Sequence, residues 1–86
     1  MAWHHHKDVV TQENRGGAFL LHMESGTYFG LDTIGLELWS QLKSPSEIDD
    51  LSQFLVQNYN LNPDQAFTDC KEFINSLIES ELIVES

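Results

Sequence analysis

The sequence predicts an α+β domain of the winged helix-turn-helix kind, with a three-stranded antiparallel sheet followed by three helices (β-β-β-α-α-α). Two observations predict this class. The first third of the chain holds short β-prone runs separated by glycine-containing turns, and the remainder places apolar residues at helical spacing after capping signals. The chain has 86 residues, of which 41% are hydrophobic, so one domain with a small core is expected.

Three β-prone runs open the domain. They cover residues 8–13, 18–23 and 27–31. The two short segments between them contain glycines, which adopt positive φ at little cost, so tight turns and an antiparallel meander are expected. In the third run Phe29 and Leu31 share one face, which we expect to meet the helices. Gly30 either marks a bulge or leaves the backbone open to a ligand.

Capping signals set the predicted starts of the first two helices. Asp32 is a suitable N-cap for a first helix over residues 33–42. The second helix is predicted over residues 45–59, with a proline in its first position. Ser44 would be its N-cap, and Glu47 would complete a capping box.

The third helix is predicted over residues 63–80, with Asn62 as N-cap and Gln65 at the reciprocal capping position. Its apolar residues form two stripes, one of Ala66, Cys70, Phe73 and Leu77 and one of Phe67, Ile74 and Ile78. An apolar arc this wide indicates either deep burial or a hydrophobic wall offered to a partner, and both interpretations stay open. Residues 82–84 would form a short strand or an extended tail.

The charge balance argues against two classes of partner. Fourteen acidic residues face only four basic ones, which gives a formal net charge of −10. Nucleic acids and anionic membrane surfaces attract clustered Lys and Arg, so neither is expected as a partner, whereas a neutral or basic peptide would be attracted. The single cysteine permits no intramolecular disulfide, and no apolar run reaches the ~20 residues of a membrane span. We therefore expect a cytoplasmic protein.

The sequence shows no catalytic or metal-binding constellation. Residues 1–7 include His4–His6, but we interpret this segment as a frayed tail preceding a domain at residues 8–86, and we assign no metal site or cofactor. His22 is expected to point outward from its strand. Cys70, on an apolar helix stripe without a cationic neighbour, is expected to be a buried inert thiol. The chain is predicted not to be an enzyme.

An ordered set of residues spans most of the chain. It consists of the segments Gly17–Leu21 and Gly26–Asp32, followed by Gly35, Leu38, Trp39, Leu42, Ile48, Leu51, Tyr59, Asp69, Cys70, Phe73, Ile74, Leu77, Leu82 and Ile83. This ordered set resembles the PqqD-like family, also called RiPP recognition elements. Within the family the chain is most similar to the stand-alone proteins of lasso-peptide pathways.

The resemblance implies a leader-peptide-binding protein for ribosomally made precursors. It would present the precursor to modifying enzymes, in lasso pathways a leader peptidase and then a cyclase. The leader would add as an antiparallel strand to the third predicted strand, in a groove walled by the third helix. The binding residues carried over are Thr27, Tyr28, Phe29, Gly30 and Leu31 on the strand, and Phe67, Asp69, Cys70, Phe73 and Ile74 on the helix.

Two alternatives stay open at this point. Asp69 either meets a basic leader residue or is an ordinary solvated carboxylate of the helix. The winged-helix topology also permits a nucleic-acid-binding or transcriptional adaptor protein, because a fold does not fix a function. The net charge argues against that second function.

Overall fold

The computed structural model describes residues 1–86 and confirms the α+β class. Its elements are β1 (Trp3–His5), β2 (Val9–Asn14), β3 (Gly17–His22), β4 (Tyr28–Asp32), α1 (Thr33–Gln41), α2 (Ile48–Tyr59), α3 (Pro63–Glu79) and β5 (Ile83–Glu85). One antiparallel sheet has the order β2-β3-β4, and β1 and β5 form a separate two-stranded sheet. None of the helices combines the length and apolar composition needed to cross a bilayer.

The three-stranded sheet is built by the two predicted turns. Gly16 and Gly26 occupy these turns with φ of 93° and 76°, a backbone region that favours glycine. Both strand pairs are antiparallel, as the short turns predict. The sheet is therefore fixed by local turn chemistry.

The inner face of β4 packs toward the helices. Phe29 lies opposite Leu20 of β3, and Leu31 lies opposite Ala18. Leu31 is buried and Phe29 packs against the core, so the expected orientation of these two side chains is confirmed. The register passes through Gly30 without interruption, which excludes a bulge at that residue.

The first and third helices begin as predicted. An Asp32 carboxylate oxygen accepts the Gly35 N–H at 2.7 Å, and the Asn62 side chain accepts the Asp64 N–H at 2.9 Å. These contacts satisfy backbone donors that the first helical turn leaves without partners. Gln65 does not complete the reciprocal cap, because its amide donates to the Asp69 carboxylate instead.

The predicted start of the second helix is wrong. α2 begins at Ile48, with Glu47 as N-cap and a capping box that Glu47 forms with Asp50. The physical reason is long-range pairing, since the backbone of Ser46 exchanges hydrogen bonds of 2.8 and 3.0 Å with Trp3. That bridge keeps the residue extended and prevents a helix from starting earlier.

The expectation that residues 1–7 form a frayed tail is also wrong, because they contain β1. β1 pairs antiparallel with β5, so the predicted terminal strand near residues 82–84 exists and its partner is the N-terminal segment. The His5 ring stacks on Trp39 with centroids 3.6 Å apart, and His5 Nε2–H donates to the Trp39 carbonyl at 2.6 Å. Burial lowers the pKa of His5, which holds the ring neutral at pH 7.

The core gathers residues from every layer of the fold. Trp39 is its largest fully buried side chain, and its indole N–H donates to Thr11 Oγ1 at 2.8 Å. The buried apolar residues are Ala18, Leu20, Leu31, Leu38, Trp39, Leu42, Leu51, Leu55, Ala66, Cys70, Ile74, Leu77, Leu82 and Ile83. α1 and α3 are thereby fixed around β4, which positions the site described below.

Two side chains test the expectations about titratable groups. Cys70 is buried, and burial raises the pKa of its thiol to about 11, so the expectation of a buried thiol is confirmed. His22 was expected to point outward, and this is wrong because only 3% of it is exposed. Its Nδ1 accepts the N–H groups of Glu24 and Ser25, both at 3.3 Å, so it serves the β3–β4 turn.

Candidate functional site

The candidate site begins with the unpaired edge of β4. This strand pairs with β3 on one side only. The His22 N–H donates to the Thr27 carbonyl at 2.9 Å, so the Thr27 carbonyl points toward β3. Because backbone direction alternates along an antiparallel strand, the N–H and C=O groups of Tyr28 and Gly30 point away from the sheet. The edge therefore offers two donors and two acceptors to an added strand.

A groove of about 320 Å³ lies beside this edge, between β4, α1 and α3. Its lining residues are Phe29, Gly30, Leu31, Asp32, Ile34, Gly35, Leu38, Leu55, Leu61, Asp69 and Phe73. Most of them are apolar, so the groove is a hydrophobic surface flanked by backbone hydrogen-bonding groups.

Gly35 allows α1 to approach β4 closely at the base of the groove. A Cβ added there would lie 3.1 Å from an Asp32 carboxylate oxygen and 3.3 Å from Leu31 Cδ2. Close packing of the helix against the sheet thus offsets the cost of a glycine inside this helix. The opposite wall is α3, on which Asp69 and Phe73 lie one turn apart and share a face.

The structure brings together only part of the predicted site. Phe29, Gly30, Leu31, Asp69 and Phe73 all line the groove. Tyr28 is exposed at the start of the edge, and Thr27 lies just before the strand. Three predicted helix residues lie elsewhere: Cys70 and Ile74 are buried in the core, and Phe67 is exposed on the other side of α3.

Several groove residues have no counterpart in the sequence prediction. They are Asp32, Ile34, Gly35, Leu38, Leu55 and Leu61. One signal could have identified the first of them: the strand ends in Asp32, which is itself the cap of the next helix, so the start of that helix must lie beside the strand edge. Leu55 and Leu61 reach the groove only through tertiary packing.

Phe67 belongs to a second, separate groove of about 280 Å³. It lies between β1, the start of α2 and the face of α3 that turns away from β4. Its apolar lining includes Trp3, Ile48, Phe67 and Ile78, and its acidic lining is Glu47 and Asp49. α3 therefore contributes to two apolar surfaces, one on each side of its buried stripe.

Charge in the β4 groove is negative. Asp32 and Asp69 are its ionisable lining residues, and neither takes part in an ion pair. Nearby, Tyr59 donates a hydrogen bond to Glu37, and this carboxylate raises the pKa of the Tyr59 hydroxyl. The groove suits an extended polypeptide with apolar side chains and no excess of negative charge.

Comparisons with known proteins agree with this geometry. A family model described as coenzyme PQQ synthesis protein D (PqqD) matches residues 17–83. The solved structure of TbiB1 in complex with the TbiA(beta) leader peptide is similar to this chain with a TM-score of 0.84. It is 28% identical in sequence, and the match covers 93% of each chain.

A second solved structure, lasso peptide synthetase B1 complexed with the leader peptide, has a TM-score of 0.83 and 22% identity. That match covers 95% of this chain and 96% of the other, and at this identity the similarity concerns the fold. No curated protein matches the chain significantly.

Proposed function

Because this chain belongs to the PqqD family, we propose that it binds the leader segment of a ribosomally made precursor peptide and presents the precursor to modifying enzymes. The observation that carries the proposal is the unpaired edge of β4 beside an apolar groove. An added peptide strand would satisfy the outward backbone groups of Tyr28 and Gly30. Support comes from the 28% identical TbiB1, whose structure holds a leader peptide.

Hydrogen-bond energetics indicate that the edge alone binds weakly. Two donors and two acceptors contribute about 1 kcal/mol each, or roughly 4 kcal/mol together. A Kd of 1 µM requires about 8 kcal/mol. A disordered leader also loses conformational entropy when it binds. The remaining free energy must come from apolar leader side chains seated on Phe73 and its neighbours in the groove, each contributing ~1.5–3 kcal/mol when buried.

We propose a binding set that combines the edge with the groove. Thr27 and Tyr28 lead the peptide onto the edge, and Phe29, Gly30 and Leu31 supply its backbone and inner face. Asp69 and Phe73 form the facing wall. Cys70 and Ile74, being buried, support that wall from within the core. This arrangement leaves the remainder of the precursor outside the groove and accessible to an enzyme.

We further propose that the chain is a binding protein without catalytic activity of its own. Its partners would be the precursor and, in a lasso-peptide pathway, a leader peptidase followed by a cyclase. The resemblance of the sequence to the stand-alone proteins of lasso-peptide pathways favours that pathway class, and a lasso peptide synthetase B1 in complex with its leader peptide shares the fold. A nucleic-acid-binding role is disfavoured by the net charge of −10, because phosphate binding needs clustered basic residues.

The decisive experiment is a titration with synthetic leaders of short precursor genes neighbouring the gene for this chain. We expect one leader to bind with shifts of the Tyr28 and Gly30 amide resonances. N-methylation of the leader at successive positions should weaken binding with a period of two, because only alternate N–H groups face β4. Binding without this periodicity, or without shifts in β4, would exclude strand addition.

A matched pair of variants tests the groove. Phe73→Glu places a charge on the groove wall and should abolish leader binding, whereas Phe67→Glu on the opposite side of the same helix should preserve it. Circular dichroism and urea unfolding verify that both variants fold. Tyr28→Pro removes a backbone N–H that points away from the sheet, so this variant should also weaken leader binding. Equal loss in both Glu variants would contradict the assignment of the groove.

A further inference from the structure

Two walls of the β4 groove carry a carboxylate. Asp32 lies at the end of β4 and Asp69 on α3, and both line the groove. No Lys, Arg or His lines it, although the chain contains Lys7, Arg15, Lys43 and Lys71. A peptide strand seated on β4 would therefore have negative charge on both sides of its apolar contacts.

Neither carboxylate is neutralised within the protein. One Asp32 oxygen accepts the Gly35 N–H, and one Asp69 oxygen accepts the Gln65 amide at 2.8 Å. A carboxylate has about four acceptor positions, so each retains capacity for a donor. A bound peptide would remove water from both groups, and that desolvation costs free energy unless the peptide supplies a cation or donors.

Building on the proposed leader-binding function, we infer that the groove selects a leader segment with a Lys or Arg side chain beside its apolar anchor. Asp32 and Asp69 determine this preference. An uncharged segment would leave two desolvated carboxylates without a counter-charge, and an acidic segment would be repelled. The charge of −10 over the whole chain attracts cationic segments in the same sense.

The structure supplies fold-preserving variants for the test. Asparagine is as good an N-cap as aspartate, so Asp32→Asn keeps the hydrogen bond to Gly35 while removing the charge. Asp69→Asn likewise keeps an acceptor for Gln65. Asp49→Asn is the matched control, because this exposed carboxylate lies in the other groove. The double variant Asp32→Asn/Asp69→Asn should therefore fold normally and lack only the groove charge.

The experiment is a selection of random twelve-residue peptides displayed on phage, carried out on the full chain and on these variants. The wild-type chain and Asp49→Asn should enrich peptides in which Lys or Arg stands at a fixed spacing from an apolar residue. The double variant should enrich the apolar residue alone. In the best synthetic peptide, replacing the cation by norleucine should weaken binding roughly fivefold for the wild type and less than twofold for the double variant.

The outcomes separate the two proposals. Enrichment of apolar peptides without a cation preference, or an equal preference in the double variant, would overturn the inference and leave the leader-binding function standing. If neither the wild-type chain nor any variant enriches a peptide that binds in the groove, both the leader-binding function and the cation preference would be overturned. A preference lost equally in Asp49→Asn would show that the overall charge, not Asp32 and Asp69, is responsible, and would also refute the inference.

Discussion

Gly17 and Gly30 lie in the same sheet, and the structure predicts opposite responses to one added methyl group. A Cβ at Gly17 would lie 1.9 Å from the carbonyl oxygen of Leu31, a backbone atom of the neighbouring strand. A Cβ at Gly30 would point to the open face of the sheet, where its nearest neighbour is Phe19 Cε1 at 3.6 Å. The first contact is prohibitive and the second is an ordinary van der Waals contact.

The cost of Gly17→Ala follows from this geometry. Real Cβ atoms essentially never approach within 3.0 Å, so β4 must move by at least 1.1 Å, the difference between 3.0 and 1.9 Å. Overpacking costs about 1–3 kcal/mol and a lost ladder hydrogen bond about 1 kcal/mol, which together give roughly 2–4 kcal/mol. Gly30→Ala should instead stabilise by ~0.4–1 kcal/mol, because it restricts the unfolded chain.

Urea unfolding monitored by tryptophan fluorescence measures both variants. We expect the midpoint to fall sharply for Gly17→Ala and to stay level or rise for Gly30→Ala, with unchanged m-values. Gly30→Ala should also retain leader binding, since its backbone groups still face outward. A Gly17→Ala protein within about 0.5 kcal/mol of wild type, or loss of leader binding in a folded Gly30→Ala protein, would refute the strand geometry on which the site depends.

Three further predictions concern individual side chains. Because its pKa is lowered by burial, His5 contributes stability above pH 6.5 that is lost as the pH falls through its folded pKa, so His5→Phe should flatten the pH dependence of urea unfolding in this range. With a pKa of about 11, Cys70 should react with Ellman's reagent at pH 8 only after unfolding; rapid reaction of the native protein would contradict its burial. Asn62→Ala should cost ~1 kcal/mol by removing a helix cap, whereas Ser44→Ala should be near neutral, and equal costs would contradict the observed helix starts.

Local signals predicted much of the fold. The turn glycines and the caps Asp32 and Asn62 act over a few residues, and the structure reproduces each of them. The two errors about secondary structure arise where distant segments meet. The start of α2 is set by the bridge between Trp3 and Ser46, and β1 exists because β5 pairs with it. No short window of sequence contains both members of these pairs.

In the candidate site, too, the features set by local sequence could be predicted and those set by tertiary packing could not. Its strand could be predicted because Phe29 and Leu31 alternate with outward residues, and alternation is visible in the sequence. The sequence could not show which residues of α3 form the wall of the groove, because the two apolar stripes of this helix differ only by rotation about the helix axis. Packing sends Phe73 to the β4 groove and Phe67 to the opposite side, and it places Cys70 between them in the core.

This arrangement resolves the open question about the wide apolar arc of α3. The centre of the arc is buried, whereas Phe67 on one margin is exposed and Phe73 on the other margin is only partly buried. The helix therefore contributes both to the core and to the walls of the two grooves. A winged helix that binds nucleic acid presents a basic recognition helix to a groove of the duplex. Here the helix margin beside β4 carries Asp69, and the backbone groups of Tyr28 and Gly30 on the neighbouring strand edge have no partner strand. Although the topology is the same, the negative charge of the groove and the exposed edge of β4 favour an added peptide strand over a nucleic acid.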